Sequence, residues 1–133
     1  MTGDVLVLDA SVGVKWFKDE AGSGEARALI ARLGEGAIQL VVPAVFPYEV
    51  LDVARRLYGI RDAARVWRDL SAAGLLVAGS DEALLAASLE VAADLGCTLY
   101  DAAAPALAAR LDCPLVSADR RAHGRIQDVQ IIG

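Results

Sequence analysis

The chain is poor in the residues that most often advertise a function. Among 133 residues there is one histidine, one methionine and two cysteines, and aromatic side chains make up only 5%. Cys97 and Cys113 are too few for a disulfide framework, and with His123 as the sole histidine they form no zinc-ligand spacing. They read as reduced, buried thiols of a cytosolic protein. Long apolar runs are also missing. The most apolar stretch after the first strand, Leu40 to Tyr48, is interrupted by Pro43 and Pro47 and falls far short of the ~20 residues that span a bilayer. The start, Met1-Thr2-Gly3-Asp4, carries no basic leader, so a soluble, cytoplasmic protein is expected. Cations are in the minority: 13 Lys and Arg stand against 18 Asp and Glu, for a net charge of −5. Such a balance argues against holding nucleic acid by bulk electrostatics, which needs a basic footprint.

Ala, Leu and Val supply most of what is there. Hydrophobic residues reach 56% and charged residues 23%, which excludes disorder and suits a single domain over residues 1–133. Short apolar runs at Val5–Leu8, Ile38–Val42, Leu75–Val77, Pro114–Ser117 and Val129–Ile132 are strand candidates. Helices are expected at 12–17, 22–33, 43–58, 61–73, 80–96 and 98–111, several bounded by Gly or Pro. Strands alternating with helices predict an α/β fold, a three-layer α/β/α sandwich on a central, mostly parallel sheet. Ligands of such sheets collect at the carboxyl ends of the strands. Asp9 and Asp119 each follow a strand and are the first acids to consider.

Most acids have plain explanations. Asp52 has Arg56 one turn on, Asp62 has Arg65, and Asp81-Glu82 suit a helix start. Four fit less well. Asp9 follows the most hydrophobic strand, where it can serve as an N-cap. Glu49 lies on the apolar face of its helix, among Val45, Phe46 and Val53, without a cation at helical spacing. Asp101 sits three residues after Thr98, as in a capping box. Asp119 precedes Arg120-Arg121 in a turn. All four could converge over one sheet edge. Carboxylates ~4 Å apart repel by ~4 kcal/mol at an effective dielectric near 20, so a cluster calls for a divalent cation. Oxygen ligands select hard ions such as Mg²⁺ or Mn²⁺, which activate water and stabilise departing oxygens in phosphodiester cleavage.

Val5-Leu6-Val7-Leu8-Asp9-Ala10-Ser11-Val12 with Lys15-Trp16-Phe17, Pro43 through Tyr48-Glu49-Val50, Leu99-Tyr100-Asp101-Ala102-Ala103, and Leu115-Val116-Ser117-Ala118-Asp119-Arg120 follow one another along nearly the whole chain. In this order they resemble the PIN-domain ribonucleases, in particular VapC-type toxins of type II toxin–antitoxin modules. The resemblance implies a PIN fold and an endoribonuclease that cleaves RNA with Mg²⁺ or Mn²⁺. It implies that Asp9, Glu49, Asp101 and Asp119 are the catalytic and metal-holding acids, with Ser11 and Ser117 in support. A homodimer and a cognate antitoxin protein are implied as partners. The sequence departs from the family where Ala103-Ala104-Pro105 replaces a larger residue after the third acid, and Pro105 is expected to kink its helix. It also lacks a further acid close after Asp119, where Arg120, Arg121, Ala122 and His123 follow, which leaves the number of metals open.

Arg55, Arg56, Arg61, Arg65 and Arg68 fall in one helical hairpin, and Arg120, Arg121 and Arg125 follow the last acid. Lys15, Arg120 and Arg121 are candidate phosphate contacts. His123 reads as a surface residue, and Trp16, Phe17 and Trp67 as core or dimer contacts. A phospho-acceptor receiver domain shares the length and the first strand-end acid, but here Leu40-Val41-Val42 runs into Pro43 with no acceptor. A catalytically weakened PIN-fold binding or regulatory module is the main alternative. With the quartet set aside, 14 acids face 13 cations, so most of the excess negative charge would belong to one metal site.

Overall fold

The computed structural model describes residues 4–133; Met1–Gly3, read above as free of any targeting signal, lie outside the described residues. In chain order the elements are β1 (Asp4–Leu8), α1 (Ala10–Val14), α2 (Ser23–Gly34), β2 (Ile38–Pro43), α3 (Val45–Tyr58), α4 (Ile60–Ala73), β3 (Leu76–Ala78), α5 (Glu82–Leu95), α6 (Leu99–Leu111), β4 (Leu115–Ser117), α7 (Arg120–His123) and β5 (Gln130–Ile131). The strands form one sheet in the order β3-β2-β1-β4-β5, and every pairing is parallel. The expected three-layer α/β architecture is therefore present.

Strand periodicity divides the core in two. Successive side chains of a strand point to opposite faces. Leu8 and Val116 accordingly pack with Val12, Leu29, Phe46 and Val50 on the α1–α4 side. Their strand neighbours Val7 and Leu115 pack with Leu84, Ala104 and Leu107 on the α5–α6 side. The central strand β1 is covered on both faces, which explains why it reads as an unbroken apolar run.

β1 pairs with β2 on one side and with β4 on the other. The chain builds outward from β1 through β2 and β3, then returns to add β4 and β5 on the opposite flank. The switch of direction leaves a crevice between the carboxyl ends of β1 and β4. Asp9 and Asp119 stand on its two lips.

Gly13 sets how closely α1 approaches α3. A Cβ there would lie 2.6 Å from Phe46 Cζ and 2.7 Å from Val50 Cγ2. Only a residue without a side chain lets α1 pack this near the helix that carries Glu49.

α6 spans Leu99–Leu111, with Pro105 buried in its interior. One expectation changes. His123, expected at the surface, is wholly buried, at 0% exposure. A one-turn helix, α7, begins at Asp119 and carries the imidazole inward. Trp16, Phe17 and Trp67 do pack, half-buried, against the larger core cluster.

Candidate active site

Three of the four acids are placed by helix starts. Asp9 caps α1: its Oδ2 accepts from Ser11 N–H at 3.0 Å. Its own N–H donates to the Val116 carbonyl at 3.0 Å, fastening the end of β1 to β4. Asp101 is in the first turn of α6, where its N–H donates to Thr98 Oγ1 at 3.1 Å. Asp119 caps α7, its Oδ1 accepting from Ala122 N–H at 3.0 Å. Capping and a functional role are thus compatible. A carboxylate that spends one oxygen on a turn is held in a fixed place, and its second oxygen remains for another partner.

Glu49 is different. It lies in the second turn of α3, half-buried, with no cap to hold it. Burial first, and then the nearby charges of Asp9 and Asp101, push its carboxyl up to about 7. Glu49 thus feels two of the other three acids through space, although they lie 40 and 52 positions away in sequence. All four acids line one cleft of about 340 Å³, together with Ser11 and Arg56. A second hollow, about 630 Å³, shares Asp101 and Asp119 and is lined also by Thr98 and Arg121.

The floor between these acids is a run of hydrogen bonds. Ser117 is wholly buried. Its Oγ accepts from Asp119 N–H at 3.0 Å, lies 2.6 Å from His123 Nδ1, and is 3.5 Å from Ser11 Oγ. Ser11 Oγ accepts from Ala118 N–H at 3.0 Å. His123 Nε2 is 2.6 Å from the Asp101 carbonyl. Because a carbonyl only accepts, Nε2 carries a proton, and Nδ1 shares a hydrogen bond with the Ser117 hydroxyl. One connected set of bonds therefore underlies Asp9, Asp101 and Asp119. No buried side-chain N or O atom among the described residues lacks a partner.

The proposed phosphate contacts separate. Arg121 lines the hollow beside Asp101 and Asp119. Arg120 is exposed on α7 and lines neither cavity. Lys15 is spent elsewhere: its buried Nζ lies 3.2 Å from Glu20 Oε1 and donates to the Ala21 carbonyl at 2.6 Å. Arg56 is the residue that spacing alone did not single out. It was legible as the i+4 partner of Asp52, but not as a cation on the cleft wall.

The donor set suits a hard cation. It consists of carboxylate and hydroxyl oxygens in a cleft where burial, and then the charges of Asp9 and Asp101, raise Glu49. Among the described residues no three His, Cys, Asp or Glu side chains stand at ligating spacing. Mg²⁺ keeps several of its waters and needs only one or two direct carboxylates, so an open acidic cleft can serve it where a closed cage cannot.

Residues 6–128 match the PIN domain model. The chain belongs to the PIN domain family. No curated protein matches it in sequence. Among solved structures it is similar to VapC20 of Mycobacterium tuberculosis, a sarcin–ricin-loop-cleaving toxin, with TM-score 0.76 and 14% identity over 96% of this chain and 99% of that one. A toxin–antitoxin complex from Klebsiella pneumoniae gives TM-score 0.74 and 16% identity, covering 93% and 94%. PAE2754 from Pyrobaculum aerophilum gives 0.66 and 23%, covering 97% and 90%. No single described helix is long and apolar enough to cross a membrane.

Proposed function

We propose that this chain is a Mg²⁺- or Mn²⁺-dependent endoribonuclease, the toxin of a type II toxin–antitoxin module. The observation that carries the proposal is the convergence of Asp9, Glu49, Asp101 and Asp119, from four separate elements, on one cleft at the sheet's switch point. The toxins among its structural neighbours support the same reading. RNA is the substrate, a small antitoxin protein covers the cleft, and the active form is a cytoplasmic homodimer of one-domain chains spanning residues 1–133.

Asp9, Asp101 and Asp119 hold the ion, with Glu49 completing the acidic wall. The ion supplies Lewis acidity toward the scissile phosphate and neutralises the charge that gathers there. Ser11 and Ser117 fix the backbone on which Asp9 and Asp119 turn. Arg56 and Arg121 flank the acids and take the phosphates on either side of the cut, which the acids alone would repel. Induced expression of the wild type is expected to arrest growth, and Asp9→Asn to relieve the arrest. Full toxicity of that variant would sink the mechanism.

The second reading, a weakened binding or regulatory module, draws on the absence of a ready-made three-ligand group among the described residues. Titration with Mn²⁺ separates the two. The nuclease requires a binding signal that Asp101→Asn abolishes, and the module requires none.

A further inference from the structure

α6 contains a fault in its hydrogen-bond ladder at the residue that matters most to the cleft. In a regular helix the carbonyl of Asp101 would accept the N–H four positions on. That position is Pro105, which has no N–H and whose ring crowds the same carbonyl. Pro105 is buried inside the helix, and so the vacated carbonyl has no easy access to water from that side. The helix nevertheless spans Leu99–Leu111 on both sides of the fault.

His123 lies where the missing donor would be needed. Its ring is wholly buried, with Nε2 at 2.6 Å from the Asp101 carbonyl and Nδ1 at 2.6 Å from Ser117 Oγ. We propose that Pro105 and His123 form one device. The proline frees the Asp101 backbone from its own helix, and His123 reclaims it for the other side of the cleft. The third acid is thereby tied to Ser117, whose hydroxyl also holds the N–H of Asp119. Asp101 and Asp119 come from different elements, and this bridge sets their separation. His123 is a positioning residue: it acts on the carboxylates through the backbone and touches no substrate. Its effect on activity rests on the cleavage reading above, while the bond itself does not.

The first measurement needs no variant. In the full-length protein at pH 8, nitrogen-15 spectra of the ring are expected to show a proton on Nε2 that exchanges slowly, and a bare Nδ1. A ring protonated only at Nδ1 would overturn the proposal. The second is a set of substitutions read by Mn²⁺ affinity. His123→Gln can still place a donor near the position of Nε2, whereas His123→Asn reproduces only the inner nitrogen. Asn is expected to weaken Mn²⁺ binding about tenfold or more, as loss of an outer-shell partner does, and Gln to stay within about threefold of wild type. Adding Pro105→Ala to His123→Asn restores a helical N–H to the Asp101 carbonyl but not the bridge to Ser117, so melting temperature should recover while Mn²⁺ affinity stays low. Equal losses of affinity for Asn and Gln, or no recovery of melting temperature with Pro105→Ala, would overturn the device. Should the wild type bind no Mn²⁺, the cleavage reading fails by itself. The proposal is then decided by the ring spectra and by the same cycle in melting temperature, where additive effects of Pro105→Ala and His123→Asn would end it.

Discussion

Asp52 holds Arg56 at the wall of the acidic cleft, one helical turn further along α3. Arg56 Nε lies 3.4 Å from the Asp52 carbonyl and 3.5 Å from its Oδ2. Asp52 itself sits low, because Arg55 donates to its carboxylate and both arginines add their charge. The ion pair is exposed and contributes little to stability. Its value lies in where it leaves a guanidinium. Arg56→Ala should weaken RNA binding across sequences and lower the slope of log affinity against log salt by about 0.7, the increment of one phosphate contact to a single strand. Binding at several salt concentrations measures this, and an unchanged slope would remove Arg56 from the substrate path.

Glu49 gives a pH dependence with a definite sign. Its carboxyl ionises at about 7 in the fold, against 4.5 for the ordinary group. A raised acid contributes stability that is fully present below pH 4.5 and is lost as pH rises through 7. The metal-free protein should therefore gain from Glu49→Gln at pH 8 and hardly change at pH 5. With solvent screening of a half-buried group, the gain at pH 8 is on the order of 1 kcal/mol, or ~3–5 °C in melting temperature. Mn²⁺ should reverse the ranking, stabilising the wild type more than the variant. A variant that melts below wild type at pH 8 without metal would contradict the crowded-charge account.

Gly13→Ala tests the approach of α1 to α3. The added methyl meets a ring carbon of Phe46 and a methyl of Val50, both buried. Overpacking of this kind costs about 1–3 kcal/mol. Because α1 begins at Asp9 and α3 carries Glu49, the same shift separates two acids. The variant should show a lower melting temperature together with a Glu49 ionisation nearer the ordinary value, followed by carbon-13 shifts of its carboxyl. A destabilised protein with an unmoved Glu49 would show that packing and cleft geometry are independent here.

Ser117→Ala removes one hydroxyl and strands two partners, the Asp119 N–H and the His123 ring nitrogen. Leaving buried polar groups unpaired costs about 1–3 kcal/mol each. Thermal unfolding should show a loss of about 2–6 kcal/mol, and Mn²⁺ affinity should fall with it, because Asp119 no longer has its backbone fixed.

The fold was largely legible because its signals are local. Val5–Leu8 reads as a covered strand, Gly59 and Gly74 end helices, and the Thr98–Asp101 cap marks the start of α6. The four acids were legible for a related reason: Asp9 and Asp119 follow strands, Glu49 lies on an apolar helix face without a cation at helical spacing, and Asp101 stands at a helix start. What stayed hidden depends on contacts across the chain. His123 lies in the polar stretch Arg120–Arg125 and looks solvated, until the short turn capped by Asp119 rolls it under α6. Pro105 shows in the sequence that a donor is lost, and the sequence cannot show that His123 replaces it. Lys15 follows Ser11 at helical spacing, yet α1 ends at Val14, and the chain then turns the ammonium toward Glu20 and Ala21.

β1 and its partner β4 lie more than 100 positions apart in the chain: Val7 is beside Leu115, and Leu8 beside Val116. Parallel pairings between such distant segments form late and slowly. Until β4 has been made, the chain carries Asp9, Glu49 and Asp101 without the strand, the serine or the imidazole that unite them. The cleft therefore exists only once the fold has closed around β1.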